Sequence, residues 1–295
     1  MIKRIIDLIL YIIGLRKKKE DVLIESVTNE NSIESNNIKK EKKEVFRLNV
    51  SEGKDNYSQR KSKYIHEQKG QYGTNTINWT CVCNVHALGM AALYSGWIFP
   101  KSAYEREPDA LADYTITECN KENNWFKQKM PQLWKNWYEG DPNAYTPLEL
   151  HEVLVHYFNE YMGCSKADTF TTTATMKDIV KQLYENRIAI PTSVQWGGLK
   201  GHIITIVGFE AASEDDLIKW INSEDNTSAG LSKVVTKLIL DDPWGKIIES
   251  TNKYDGNQSG NDVEVSFNYM LKYWKSVDNT NRKYAHFLNK PVAIV

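Results

Sequence analysis

No run of about 18 apolar residues occurs in this chain of 295 residues, so no segment reads as a full membrane span. Charge of one sign is missing as well. The formal net charge is -1, which leaves no concentrated basic surface for a phosphate backbone and excludes the nucleic-acid-binding class. Glycine (16) and proline (8) are not in excess, which excludes collagen-like and low-complexity readings. Cysteine is scarce, with four residues at positions 81, 83, 119 and 164. Cys81 and Cys83 are separated by a single residue, awkward for a disulfide, and no second Cys or His pair stands at zinc-finger spacing. The chain reads as one with free thiols and no metal, which fits a reducing compartment. His151 and His156 are five apart on a helical segment, off the four-residue spacing that serves one metal ion. His66 and His86 have no evident partners.

What is present is enough for one large domain or two small ones, at 41% hydrophobic and 25% charged residues. Met1 to Leu15 is aliphatic with Lys3 and Arg4 near its start, and Arg16 to Lys19 follow as a basic run. Asp7 interrupts the aliphatic stretch and no small-residue cleavage site follows, so no cleavable signal peptide is evident. Residues 1–19 fit an interfacial amphipathic helix drawn to anionic lipid, or a helix that docks on a protein surface. The expected location is cytoplasmic or peripheral to the membrane. Residues 20–56 are charged and rich in Asn, Ser and Lys, too poor in apolar residues to offset the entropy of ordering, and read as a linker. Residues 57–295 read as the globular domain.

Within that domain, Val82 to Trp97 is a buried helix rich in small residues, with Val85, Leu88 and Ala92 at helical spacing. Thr146-Pro147-Leu148-Glu149 opens a helix to about Met162, and Thr175 opens another to Asn186. Ala189 to Gln195, His202 to Phe209 and Lys237 to Leu240 are rich in β-branched and aliphatic residues and read as strands. Glu214 to Asn222 reads as a short helix between the last two. Helices first and strands after argue for the α+β class.

Chemistry concentrates at three points. Cys83 stands where the small-residue helix begins, and a helix N-terminus stabilises a thiolate through its unpaired backbone donors. A base must lie within reach, with a third group to orient it. His202 opens an apolar strand, and Asp242 follows the next strand ahead of Pro243. Asp241 is an alternative to Asp242, and Cys81 to Cys83. The bland readings are an inert buried thiol, a core histidine and an Asp-Pro turn.

Cys83-Asn84-Val85-His86-Ala87-Leu88-Gly89-Met90 resembles the nucleophile motif of the bacteriocin-processing (double-glycine peptidase-like) cysteine peptidases. Gly201 to Phe209 resembles their Gly-His block and apolar strand, and Asp241-Asp242-Pro243-Trp244-Gly245 their Asp-Pro-aromatic-Gly block. The tail, Val265 to Tyr269 and Ala285 to Phe287, resembles the bacterial and phage branch of that family. The resemblance covers roughly Tyr57 to Leu288. It implies a papain-like fold, with a helical half and an antiparallel sheet half, and a Cys83-His202-Asp242 triad that cleaves amide or peptide bonds without a cofactor. It also implies an oxyanion-hole side chain: Gln59 is the first choice, while Gln71 and Asn78 stand closer to Cys83. The implied partners are a peptide or a peptidoglycan stem peptide, the latter making the chain a cell-wall lysin. The alternatives are a polypeptide-processing protease and a papain-like binding or assembly module with a dead site.

Overall fold

The computed structural model describes residues 44–54, 57–58, 83–100, 107–120, 147–199, 201–255, 257–276 and 278–291. The segments 1–19 and 20–43, and the residues Gln59, Gln71, Asn78 and Cys81, lie outside them.

The first helix, α1 (Cys83–Tyr94), carries apolar or small residues on every side, and all of its residues except Leu93 are buried. A helix apolar all round must be enclosed by protein. Here α2 (Glu107–Asn120) covers one side, and the sheet covers another. Helix α3 (Pro147–Tyr161) packs on α2, giving the helical half.

The sheet half is antiparallel throughout its strand pairs. Its strands are β1 (Phe46–Asn49), β2 (Asp168–Thr171), β3 (Ile190–Val194), β4 (His202–Ala211), β5 (Val235–Asp241), β8 (Val263–Ser266) and β9 (Ala285–Leu288). The order is β2-β9-β3-β4-β5-β8, with β1 also paired to β4. Two short strands, β6 (Lys246–Ile248) and β7 (Lys253–Asp255), form a separate hairpin. This is an α+β arrangement.

Strand β4 is ten residues long and organises the sheet. One of its edges is shared end to end. Its first half pairs with β3, from Val194↔His202 to Ile190↔Ile206, and its second half pairs with β1, from Gly208↔Asn49 to Ala211↔Phe46. Its other edge pairs with β5 along most of its length. Gly208 allows the exchange of partners: a Cβ there would sit 2.1 Å from the Leu48 carbonyl oxygen, closer than any side chain tolerates. Phe46 to Asn49 fall in the charged stretch, residues 20–56, that reads as a linker. The structure makes them a strand because Phe46 and Leu48 pack against the core while the intervening Arg47 is exposed, the alternation of a half-buried strand in only four residues.

The remaining helices are α4 (Met176–Lys181), continued by a π turn over Gln182–Asn186, then α5 (Glu214–Ile221), α6 (Ser228–Leu231) and α7 (Phe267–Tyr273). Thr175 caps α4 in a reciprocal box with Asp178, which satisfies two backbone donors at once. Helix α2 was not anticipated, because its run Glu107 to Asn120 alternates acidic, small and polar residues without a clear apolar stripe.

A chain of buried polar side chains fastens α3 to the sheet. His151 on α3 shares a proton with His286 on β9 (Nδ1 to Nε2, 2.7 Å), and His286 Nδ1 donates to Asp168 Oδ2 on β2 at 2.5 Å. All three are buried, and Phe170 stacks flat on the His151 ring at 4.9 Å. Burial first, and His286 second, hold His151 well below the usual imidazole range, so it is neutral when folded. The unfolded chain takes up a proton at this residue near pH 6.5, the folded chain only at lower pH. The contribution of His151 to stability is therefore present above pH 6.5 and is lost as the pH falls below it. Replacing His151 by Phe should cost about 1–3 kcal/mol at pH 7, since it strips a buried ring nitrogen of its partner. Thermal melts between pH 7 and 5 should decline less steeply for His151→Phe than for the parent; equal slopes would show that His151 is not the group that titrates.

Candidate active site

Cys83 is the first residue of α1, with an unpaired thiol that is 8% exposed and rests on Ala87 and Ile203. Its position at the first turn places it where backbone N–H groups lack helical acceptors. Asn84 answers one of them, its Oδ1 accepting from Val85 N at 2.8 Å. Farther along, Thr205 Oγ1 on β4 donates to the Ala87 carbonyl at 2.9 Å, which fixes the helix against the strand that carries His202.

His202 opens β4, where pairing with Val194 sets its backbone. Its Nε2 lies 2.6 Å from Asp242 Oδ1, and its ring also interacts with the Cys83 side chain. Burial by itself would push this imidazole down. The charge of Asp242 and the hydrogen bond to it, joined by the interaction with Cys83, outweigh burial and bring it up to about 10. His202 therefore carries a proton at neutral pH. With Nε2 committed to Asp242, Nδ1 is the nitrogen left for the thiol.

Asp242 follows the last residue of β5. Its Oδ1 accepts a second bond from Trp244 N at 2.8 Å, and its Oδ2 accepts from the Tyr254 hydroxyl at 2.8 Å. Its own N–H donates to Gly260 O at 2.9 Å. The neighbouring carboxylate does something else. Asp241 accepts from the Tyr94 hydroxyl at 2.6 Å and from Asp262 N at 2.8 Å, so it ties the far end of α1 to the sheet. Successive strand residues point to opposite faces, which separates the two acids. Burial pushes Asp241 up to about 6 despite its two donors.

Of the residues read from the sequence, the structure brings Cys83, His202 and Asp242 together and gives Asp241 a different set of partners. Gln59, Gln71 and Asn78 fall outside the described residues. Ser58, next to Gln59 in the chain, donates from Oγ to the Pro243 carbonyl at 3.3 Å. His86, unassigned in the sequence, pairs with Asp109 of α2 at 3.1 Å inside the helical half. Tyr254 was missed: it is one of 16 tyrosines, in a three-residue strand among polar neighbours, and no spacing singles it out. Among the described residues, no group of three or more His, Cys, Asp or Glu side chains is gathered as for a metal ion.

No curated protein and no solved structure matches the chain. The sequence model described as "Peptidase_C39 like family" matches residues 55–272, nearly three quarters of the chain and all three of the site's residues. The chain therefore belongs to the Peptidase_C39 like family, the papain-like cysteine peptidases of the C39 type.

Proposed function

We propose that the chain hydrolyses amide bonds of peptides through a thioester on Cys83. The observation that supports this reading is the position of His202, hydrogen-bonded to Asp242 and interacting with the Cys83 side chain. A thiol beside an imidazolium at a helix N-terminus is the arrangement that yields a nucleophilic thiolate. The Cys83 sulfur adds to the carbonyl carbon, and the electron pair of the C=O bond moves onto oxygen. The Cys83 N–H and the side chain of Gln59 hold that oxyanion, a role for Gln59 supported by the bond from Ser58 to Pro243 beside Asp242. Collapse breaks the C–N bond as His202 gives its proton to the leaving amine. Water then attacks the thioester, His202 takes its proton, and the sulfur leaves. Asp242 keeps the ring oriented and its charge compensated throughout.

Cys83→Ala and His202→Ala should abolish hydrolysis without unfolding the chain, whereas Cys81→Ala should keep most of it. Asp242→Asn should lower kcat/KM by roughly 100- to 10,000-fold. The pH profile separates this from a loss of fold. The imidazolium persists until the pH rises through about 10, so activity should hold on the alkaline side up to that region. Asp242→Asn removes the charge that raises His202, so the alkaline limb should move to lower pH. Activity that survives Cys83→Ala would end the reading.

The substrate class we propose is the peptidoglycan stem peptide, supported by the likeness of the tail blocks, Val265 to Tyr269 and Ala285 to Phe287, to the bacterial and phage branch. Incubation with purified cell walls should release new amino termini in a Cys83-dependent manner. Cleavage of unfolded polypeptides with intact walls left untouched would favour the processing-protease reading. Stoichiometric failure of an amide-mimicking thiol reagent to label Cys83 would favour a binding module.

Residues 1–19 supply the second part of the proposal, peripheral contact with an anionic membrane. In a helix, Ile5, Ile6, Leu8, Ile9, Ile12 and Ile13 would share a broad aliphatic side flanked by Lys3, Arg4 and Arg16 to Lys19. Covering those aliphatics is worth several kcal/mol at roughly 25 cal/mol per Å². Deleting residues 1–19 should release the protein from anionic vesicles while hydrolysis of a soluble peptide is unchanged, and raised salt should weaken the binding. Co-sedimentation unaffected by the deletion would point to a protein surface as the cover.

A further inference from the structure

The carboxylate of Asp242 has two oxygens, and only one of them serves His202. The other, Oδ2, is met by the hydroxyl of Tyr254 on β7 at 2.8 Å, and the Tyr254 oxygen in turn lies 2.8 Å from Trp196 Nε1. The direction of this chain is fixed by chemistry. An indole N–H only donates and an ionised carboxylate only accepts. Trp196 must therefore give its proton to the tyrosine oxygen, and the tyrosine has nowhere to send its own proton but Asp242.

The surroundings keep the phenol in place. Trp196 is 1% exposed and stacks on Tyr269 at 5.6 Å. Gly197, in the turn from β3 to β4, lies flush against the Tyr254 ring: its φ is +63°, and a Cβ there would come within 2.3 Å of the ring. Gly197 N donates to Asn252 Oδ1 at 3.1 Å, and the Tyr269 hydroxyl donates to the same oxygen at 2.7 Å, which moors the β6–β7 turn to the β3–β4 turn. The Tyr254 ring then stands edge-on to His202 with centroids 6.2 Å apart. Burial first, and the neighbouring Asp242 charge second, push the Tyr254 hydroxyl well up, so it stays a donor.

We propose that Tyr254 is a positioning residue for the Cys83-His202-Asp242 site, its hydroxyl locking the Asp242 carboxylate in the rotation that turns Oδ1 toward His202. The proposal rests on the catalytic reading above. Tyr254 does not touch the reacting atoms; it acts through Asp242. Without it, Oδ2 loses a buried donor, the charged form of Asp242 becomes costlier, and one of the bonds that fix the rotation of the carboxylate is gone.

The test needs no knowledge of the substrate. Iodoacetamide alkylation of Cys83 in the full chain, followed by peptide mass spectrometry across pH, reports how reactive the thiolate is. For Tyr254→Phe, which keeps the ring against Gly197, alkylation at neutral pH should slow by about 10-fold or more, and the acid limb should move up by about half a pH unit or more. In an Asp242→Asn background the same change should have little further effect, because the oxygen it orients no longer carries charge. A purely structural role would slow alkylation by the same factor in both backgrounds and leave the pH limb where it was; that result, or no change at all in Tyr254→Phe, overturns the proposal. Failure of the underlying reading looks different: Cys83 of the parent chain would alkylate no faster than Cys164, and Asp242→Asn would not alter it. Thermal melts of each variant separate these outcomes from unfolding, and Trp196→Phe, which removes the donor behind Tyr254 but leaves its hydroxyl, should give a smaller shift in the same direction.

Discussion

Helix α1 has no face turned to water, and that burial decides where everything around it can stand. A buried helix cannot leave its polar ends unanswered, because each orphaned group costs free energy comparable to a lost hydrogen bond. Asn84 Oδ1 answers Val85 N at one end and Lys54 Nζ the Tyr94 carbonyl at the other, and three further contacts fasten the helix along its length: Cys83 with His202, the Ala87 carbonyl with Thr205, and the Tyr94 hydroxyl with Asp241. All three partners belong to β4 and β5. The thiol is thus held against the sheet by the length of a helix rather than by a loop, and small residues such as Ala87 and Ala91 let the two halves approach.

Adjacent acids at the end of β5 illustrate how a strand divides labour. Asp241 receives two donors, sits deep between α1 and the sheet, and is raised to about 6 by burial. Its protonated form favours the fold, so its contribution is present below the unfolded carboxylate value and fades as the pH rises through about 6. That runs opposite to His151, whose contribution fades as the pH falls below 6.5. The two groups partly cancel across the same window, which flattens the pH dependence of stability in the range where each would be troublesome alone.

Much of this was legible in the sequence where local chemistry and periodicity agree. The apolar helix at Cys83, the helices at Pro147 and Met176 and the strand runs at Ile190, His202 and Leu238 announced themselves through composition, and Cys83, His202 and Asp242 through the order of their blocks. The choice between Asp241 and Asp242 was not legible, since a phase error of one residue exchanges the faces of a strand. Nor were the His151-His286-Asp168 chain and the Tyr254 contact, whose members are separated by 118 and 135 positions in the first case and by 12 in the second. The β2–β9 pairing brings Asp168 to His286, the packing of α3 adds His151, and the separate β6–β7 hairpin folds Tyr254 back on Asp242. Strand β1 escaped for a different reason: four residues at the end of a charged stretch carry too little pattern to be seen before β4 supplies their partner.

That partnership has a consequence for how the chain is handled. The family match begins at residue 55, after β1. A fragment trimmed to the match would strip the outer half of β4, Gly208 to Ala211, of its neighbour on one side and leave a row of backbone donors and acceptors open. Such an edge recruits any extended segment it meets, another copy included. The four residues of β1 thus keep that stretch of β4 paired on both sides in the intact chain.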